Sequence, residues 1–118
     1  MPEDPVGRMK ARMRADLVKA MKARRAEETA LLRTLLAAID NAEAPEIDHR
    51  VRPISGASSE IERLVLTAAE LEAVLLREAR DCEQAAAELA GSGHGERADA
   101  LRRQAGIAKR YIEQIASE

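Results

Sequence analysis

The chain has 118 residues, 46% of them hydrophobic and 34% charged, with one aromatic side chain and a formal net charge of -2. That length holds one compact domain with a modest core, and the charge excludes a globally basic nucleic-acid binder while leaving local patches open. One cysteine, Cys82, cannot close an internal disulfide, the opening segment MPEDPVGRMK lacks the apolar run of a secretory signal, and no stretch approaches the roughly 18 apolar residues of a membrane span. A cytoplasmic protein with no membrane insertion is expected.

Without Trp or Phe the core must be built from Leu, Ile, Val, Met and Ala. Ala, Glu, Arg and Leu dominate, and these side chains lose little rotamer freedom in a helix, so the fold class is all-α. The first predicted helix runs from about residue 7 to 24, with Met9, Met13, Leu17, Val18, Ala20 and Met21 recurring at helical spacing between basic residues. After the Arg24-Arg25 junction a second helix, about 26–44, carries the broad stripe Leu31, Leu32, Leu35, Leu36, Ile39 and Ala42. Pro45 ends it, because a proline ring clashes with the preceding turn and offers no donor.

Residues 45–66 hold Pro45, Pro53, Gly56 and three serines without sustained periodicity, and read as a long, mobile loop with room for a short pairing around His49 to Ile54. Thr67-Ala68-Ala69-Glu70 fits a capping box opening a third helix, about 67–90. Its inward face is Leu71, Val74, Leu75, Ala79, Cys82, Ala86 and Leu89, and Gly91-Ser92-Gly93 ends it. A fourth helix, about 96–116, turns Leu101, Ala105, Ala108, Ile112 and Ile115 inward. The expected architecture is a single domain, residues 1–118, of two helical hairpins joined by the long loop.

The chain offers little catalytic chemistry. His49 and His94 fall in predicted loops without the partner spacing of a metal site, so no metal or other cofactor is expected. Cys82 sits on an apolar stripe, where burial raises a thiol pKa away from nucleophilicity. Ser55, Ser58 and Ser59 have no convincing histidine and carboxylate around them, and the acids lie on polar helix faces as helix-supporting pairs. Gly91-Ser92-Gly93-His94-Gly95 follows a helix and lacks the lysine of a phosphate loop, so it reads as a turn.

One feature stands out. The first helix and its exit carry Arg8, Lys10, Arg12, Arg14, Lys19, Lys22, Arg24 and Arg25 against Asp16 alone. Such a row can bind phosphates, with Arg12, Lys19, Lys22, Arg24 and Arg25 as the candidate RNA-contacting residues. Arg97, Arg102, Arg103, Lys109 and Arg110 form a weaker second set. The competing reading is that these charges are solvated or paired with Glu27, Glu28 or Glu113, and the absence of aromatic stacking residues for single-stranded RNA belongs to it.

The segment from Asp16 to Arg24, with its Ala20-Met21-Lys22 element, followed by Leu32-Arg33 and the ending Ala38-Ile39-Asp40-Asn41-Ala42-Glu43, resembles the opening of the GatB/YqeY family. Leu66-Thr67 with Glu70, Leu71 and Val74 is similar to the family's second hairpin. The resemblance covers most of the chain. It implies a helical domain related to the tail of the B subunit of glutamine-dependent tRNA amidotransferase, which helps hold tRNA while transamidation belongs to other domains. A carbon-nitrogen ligase label of the glutamine amidotransferase type comes with the family by fold relationship. The expected function is a non-catalytic module binding tRNA or a tRNA-handling partner, with no DNA. The alternative is a helical protein-interaction or regulatory module without RNA contact. Family members continue through a Tyr-Leu-Pro hinge into a small second helical domain; here Tyr111-Ile112-Glu113 stands at that place and the second domain is expected to be absent.

Overall fold

The computed structural model describes residues 4–45 and 64–117, and all regular structure among them is helical. Four helices follow in order: α1 Pro5–Lys22, α2 Ala26–Glu43, α3 Ala68–Gly91 and α4 Gly95–Ala116. The expected all-α arrangement of two hairpins is the one observed. The expected pairing at His49 to Ile54, the loop's mobility and the loop serines lie outside the described residues.

Local chemistry sets the ends of each helix. Asp4 caps α1 by accepting from the Gly7 amide, and Pro5 follows at the first helical position, where its fixed φ suits the helix and its missing N–H is no loss. The helix therefore begins two residues before the expected start. At α3 the capping box forms in both directions: the Glu70 amide donates to Thr67 Oγ1 at 3.1 Å, and the Thr67 amide donates to Glu70 Oε1 at 3.1 Å.

The two hairpins turn by the same device. Arg25 N–H donates to the Ala20 carbonyl at 2.9 Å and Arg24 N–H to the Met21 carbonyl at 3.2 Å, while Arg24 takes φ +56°. In the second hairpin His94 N–H donates to Leu89 at 2.9 Å, Gly93 N–H to Ala90 at 3.5 Å, and Gly93 takes φ +85°. Both are Schellman closures, and in both the last residue of the closure is the cap of the following helix.

α3 and α4 pack against each other most extensively, α1 and α2 form the second pair, and α2 lies against both α3 and α4. The core where they meet is Met13, Leu32, Leu35, Ile39, Leu71 and Leu75, joined by Leu66 from the segment leading into α3. Alanines 79, 105 and 108 allow close helix approach. Most of the expected inward stripes hold for α2, α3 and α4, with Leu36, Ala42, Val74, Cys82, Ile112 and Ile115 partly buried against the core, while Leu89 and Leu101 line an open groove instead. The stripe of α1 needs correction: Met9, Met13 and Ala20 are buried, but Val18 and Met21 are about half exposed. α1 packs mainly on α2, touches α3, and is tied to α4 through Asp16 and Tyr111, so the sector it buries is narrower than its apolar residues span.

Candidate nucleic-acid interface

A helix turns about 100° and rises about 1.5 Å per residue. Arg8, Arg12 and Lys19 therefore lie within about 40° of one another around α1, and Lys22 about 60° beyond Lys19. All four are exposed, and the row runs for about 21 Å along the helix. Arg24 and Arg25, also exposed, continue it around the Schellman turn.

The five expected contact residues are in different states. The side chains of Lys19, Lys22 and Arg24 have no hydrogen-bond or ion-pair partner among the described residues. Arg25 Nη1 lies 3.3 Å from Glu28 Oε2, one helical turn away on the exposed surface, an arrangement that leaves the guanidinium reachable. Arg12 Nη1 donates to Gln114 Oε1 on α4 at 2.6 Å, which ties the side chain to the neighbouring helix. Lys19, Lys22, Arg24 and Arg25 cluster at the end of α1, and Arg12 sits near its middle.

Lys10 has a different position from its basic neighbours. It is buried between α1 and α2, with Nζ 2.6 Å from Glu43 Oε1 and 3.3 Å from Asp40 Oδ1. Glu43 is also the residue whose carbonyl accepts from the Leu64 amide at 2.8 Å, so this ion pair sits where the segment leading into α3 meets the end of α2. Sequence alone carried no sign of it, because the partners are 30 and 33 residues away.

The nearby acids are largely engaged elsewhere. Asp16, the one acid of α1, accepts from the Tyr111 hydroxyl on α4. Burial, then the hydrogen bond and charge of Asp16, raise the Tyr111 pKa well above its ordinary value. Glu27 is held by a two-pronged contact from Arg103, with Nη2 at 2.8 Å and Nε at 2.9 Å from Oε1, and its backbone carbonyl accepts from Gln104 at 2.9 Å. The hydrogen bond to Glu27 pushes the Arg103 pKa further up. On α4, Arg102 is paired with Asp99 and Lys109 with Glu83, so three cations of the second basic set are occupied.

Among the described residues no group of three or more His, Cys, Asp or Glu side chains is placed to hold a metal ion. His94 is exposed, with Nδ1 3.2 Å from Ser92 Oγ, and His49 lies outside the described residues. Burial raises the Cys82 pKa, and the negative charges of Glu78, Asp81 and Glu83 raise it further. Glu78 beside it is raised by desolvation and then by Asp81. An open groove of about 750 Å³ lies where α2 begins and the α3–α4 hairpin turns, floored by Ala26, Ala30, Ala85, Leu89, Ala100 and Leu101. Ser92 at its edge donates to the Glu88 and Leu89 carbonyls. No helix of the described residues is long and apolar enough to cross a membrane.

The chain matches no family model, no curated protein and no solved structure.

Proposed function

We propose that this protein is a non-catalytic helical module of the GatB/YqeY type, acting with tRNA or a tRNA-handling partner, and that its α1 face is the phosphate-contacting surface. The observation that carries the reading is the segregation of charge: Lys19, Lys22 and Arg24 stand exposed and unpaired beside Arg12 and Arg25, while Asp16 and Glu27 are tied to α4. A row of cations on one helix releases condensed counterions from a nucleic-acid backbone without reading bases. Tyr111, the chain's one aromatic residue, is 4% exposed and leaves no stacking platform, so binding rests on phosphates and falls steeply with salt. The segments from Asp16 to Glu43 that resemble the family also contain most of this surface.

Titration of the purified protein with bulk tRNA at two salt concentrations tests the reading. Five contacts correspond to a log–log salt slope of about -3.5 to -4.5. The triple variant Lys19→Glu, Lys22→Glu, Arg24→Glu abolishes the complex. Absence of binding at low salt refutes the tRNA reading, and unchanged affinity of the triple variant removes the site from α1. Glutaminase and amidotransferase assays of the isolated chain are expected to show no turnover.

A further inference from the structure

The phosphate reading uses one side of α1 and leaves the opposite side unexplained. Val18 and Met21 are exposed by 49% and 50%, one helical turn apart, on the side that leans toward α2. Around the helix they lie about 100° and 160° from Lys19, so they do not belong to the Arg12–Lys19 row. Arg14 precedes Val18 by one turn and Lys22 follows it by one turn, and both are exposed. From α2, Arg33 reaches across with Nη2 3.8 Å from Met21 Sδ, so the apolar pair is edged by cations from both helices. Phosphate gains nothing from covering Val and Met side chains. An apolar partner surface gains from it, and methionine adapts readily to such a partner.

The charges restrict what that partner can be. A neutral or basic helix laid on Val18 and Met21 would bring its flanks against Arg14, Lys22 and Arg33. A helix with apolar residues at i, i+3, i+4 and i+7 and acids beside them meets both the apolar pair and the cations. The same face has a direction. Toward the other end of the α1–α2 pair, Lys10 is bound by two acids, Asp40 and Glu43, and Asp40 is 47% exposed. The acidic end of the partner therefore lies over Arg33 and Lys22, and not over Asp40.

We propose that the α1–α2 face centred on Val18 and Met21 docks an acidic amphipathic helix of a protein partner, at a surface that adjoins the phosphate-contacting row at Lys22. The partner's leucine-type side chains cover Val18 and Met21, and its carboxylates pair with Arg14, Lys22 and Arg33. Lys22 lies at the border of the two surfaces, whereas Lys19 belongs to the phosphate row alone.

The test uses the full chain with methyl-labelled methionine and three synthetic peptides of equal length: a heptad peptide with Leu and Glu, the same peptide with Lys for Glu, and polyglutamate. The expected result is that the Leu/Glu peptide shifts the Met21 methyl resonance and leaves those of buried Met9 and Met13 in place. Its affinity is expected to fall at least tenfold in Val18→Ser/Met21→Ser and in Arg14→Glu/Arg33→Glu. It is expected to remain unchanged in Lys19→Glu, the variant that weakens tRNA. Val18 and Met21 are exposed, so their serine variants are expected to fold, which the retained Met9 and Met13 resonances verify. The proposal is overturned by absence of Leu/Glu binding, by equal binding of polyglutamate or of the Lys peptide, or by unchanged Leu/Glu affinity in Val18→Ser/Met21→Ser. Loss of tRNA binding with retained peptide binding refutes the phosphate reading alone.

Discussion

Arg24 and Gly93 occupy the same position in the two hairpin turns of this protein, each the left-handed residue of a Schellman closure, at φ +56° and +85°. Glycine adopts that conformation freely, and an L-residue with a Cβ pays for it in steric strain. An arginine therefore stands where the local backbone favours glycine, and it is a residue of the proposed phosphate surface. Strain held at such a position points toward function more than toward stability.

Arg24→Gly should raise stability by about 1 kcal/mol and weaken tRNA binding at the same time. Gly93→Ala should do the reverse for stability, costing about 1 kcal/mol: a Cβ there meets nothing within 4 Å, so the cost is conformational alone. Chemical denaturation of both variants measures the difference. Equal stability of Arg24→Gly and the parent chain would show that the arginine conformation is unstrained.

The buried Lys10 contributes through Glu43, whose side chain is 12% exposed and 2.6 Å from the ammonium. Lys10→Met keeps the aliphatic stem but removes the cation beside two acids. The expected cost is about 1–3 kcal/mol. The double variant Lys10→Met/Glu43→Gln should recover part of that loss, since the amide tolerates an apolar neighbour better than a carboxylate does. A double-mutant cycle whose terms simply add would mean that the pair contributes no coupling.

Helix positions and three of the four inward stripes were legible because they rest on local chemistry: Thr67 with Glu70, Pro45, and Gly93 announce boundaries within a few residues of their own position. Asp4-Pro5 carried the same kind of signal for the start of α1, as an N-cap followed by proline at the first helical position. The environment of a basic residue is not local. Lys10 and Arg14 are one turn apart on the same helix, yet one is enclosed by Asp40 and Glu43 and the other is exposed, because only tertiary packing decides which sector of α1 meets α2. For the same reason Val18 and Met21 match the apolar period and still face outward. A lysine's long stem can also be buried without violating its polarity, which hides such residues from pattern reading.

Thr67→Ala should cost about 1 kcal/mol, because the Glu70 amide loses its acceptor at the start of α3. The segment just before it carries Leu66, which is 6% exposed in the core, so local opening there should become easier. Amide exchange at Glu70 and Leu71 reads this directly. Unchanged exchange in the variant would show that the cap does not hold the helix start.

Tyr111 links α4 to Asp16 of α1, and its raised pKa fixes the sign of an alkaline effect. The phenol is held neutral in the folded state more strongly than in the unfolded chain, where it ionises near pH 10. Its contribution is therefore fully present below about pH 10 and is lost as pH rises through the higher folded value. Tyr111→Phe removes the hydroxyl, so it should lower stability at neutral pH by about 1 kcal/mol, and the deficit relative to the parent chain should shrink above pH 10. Since Tyr111 is the chain's one aromatic residue, phenolate absorbance of the parent protein reports this group alone. A titration midpoint at or below that of the unfolded chain would show that Asp16 and burial do not hold the phenol, and the alkaline convergence of the two stability curves would then be absent as well.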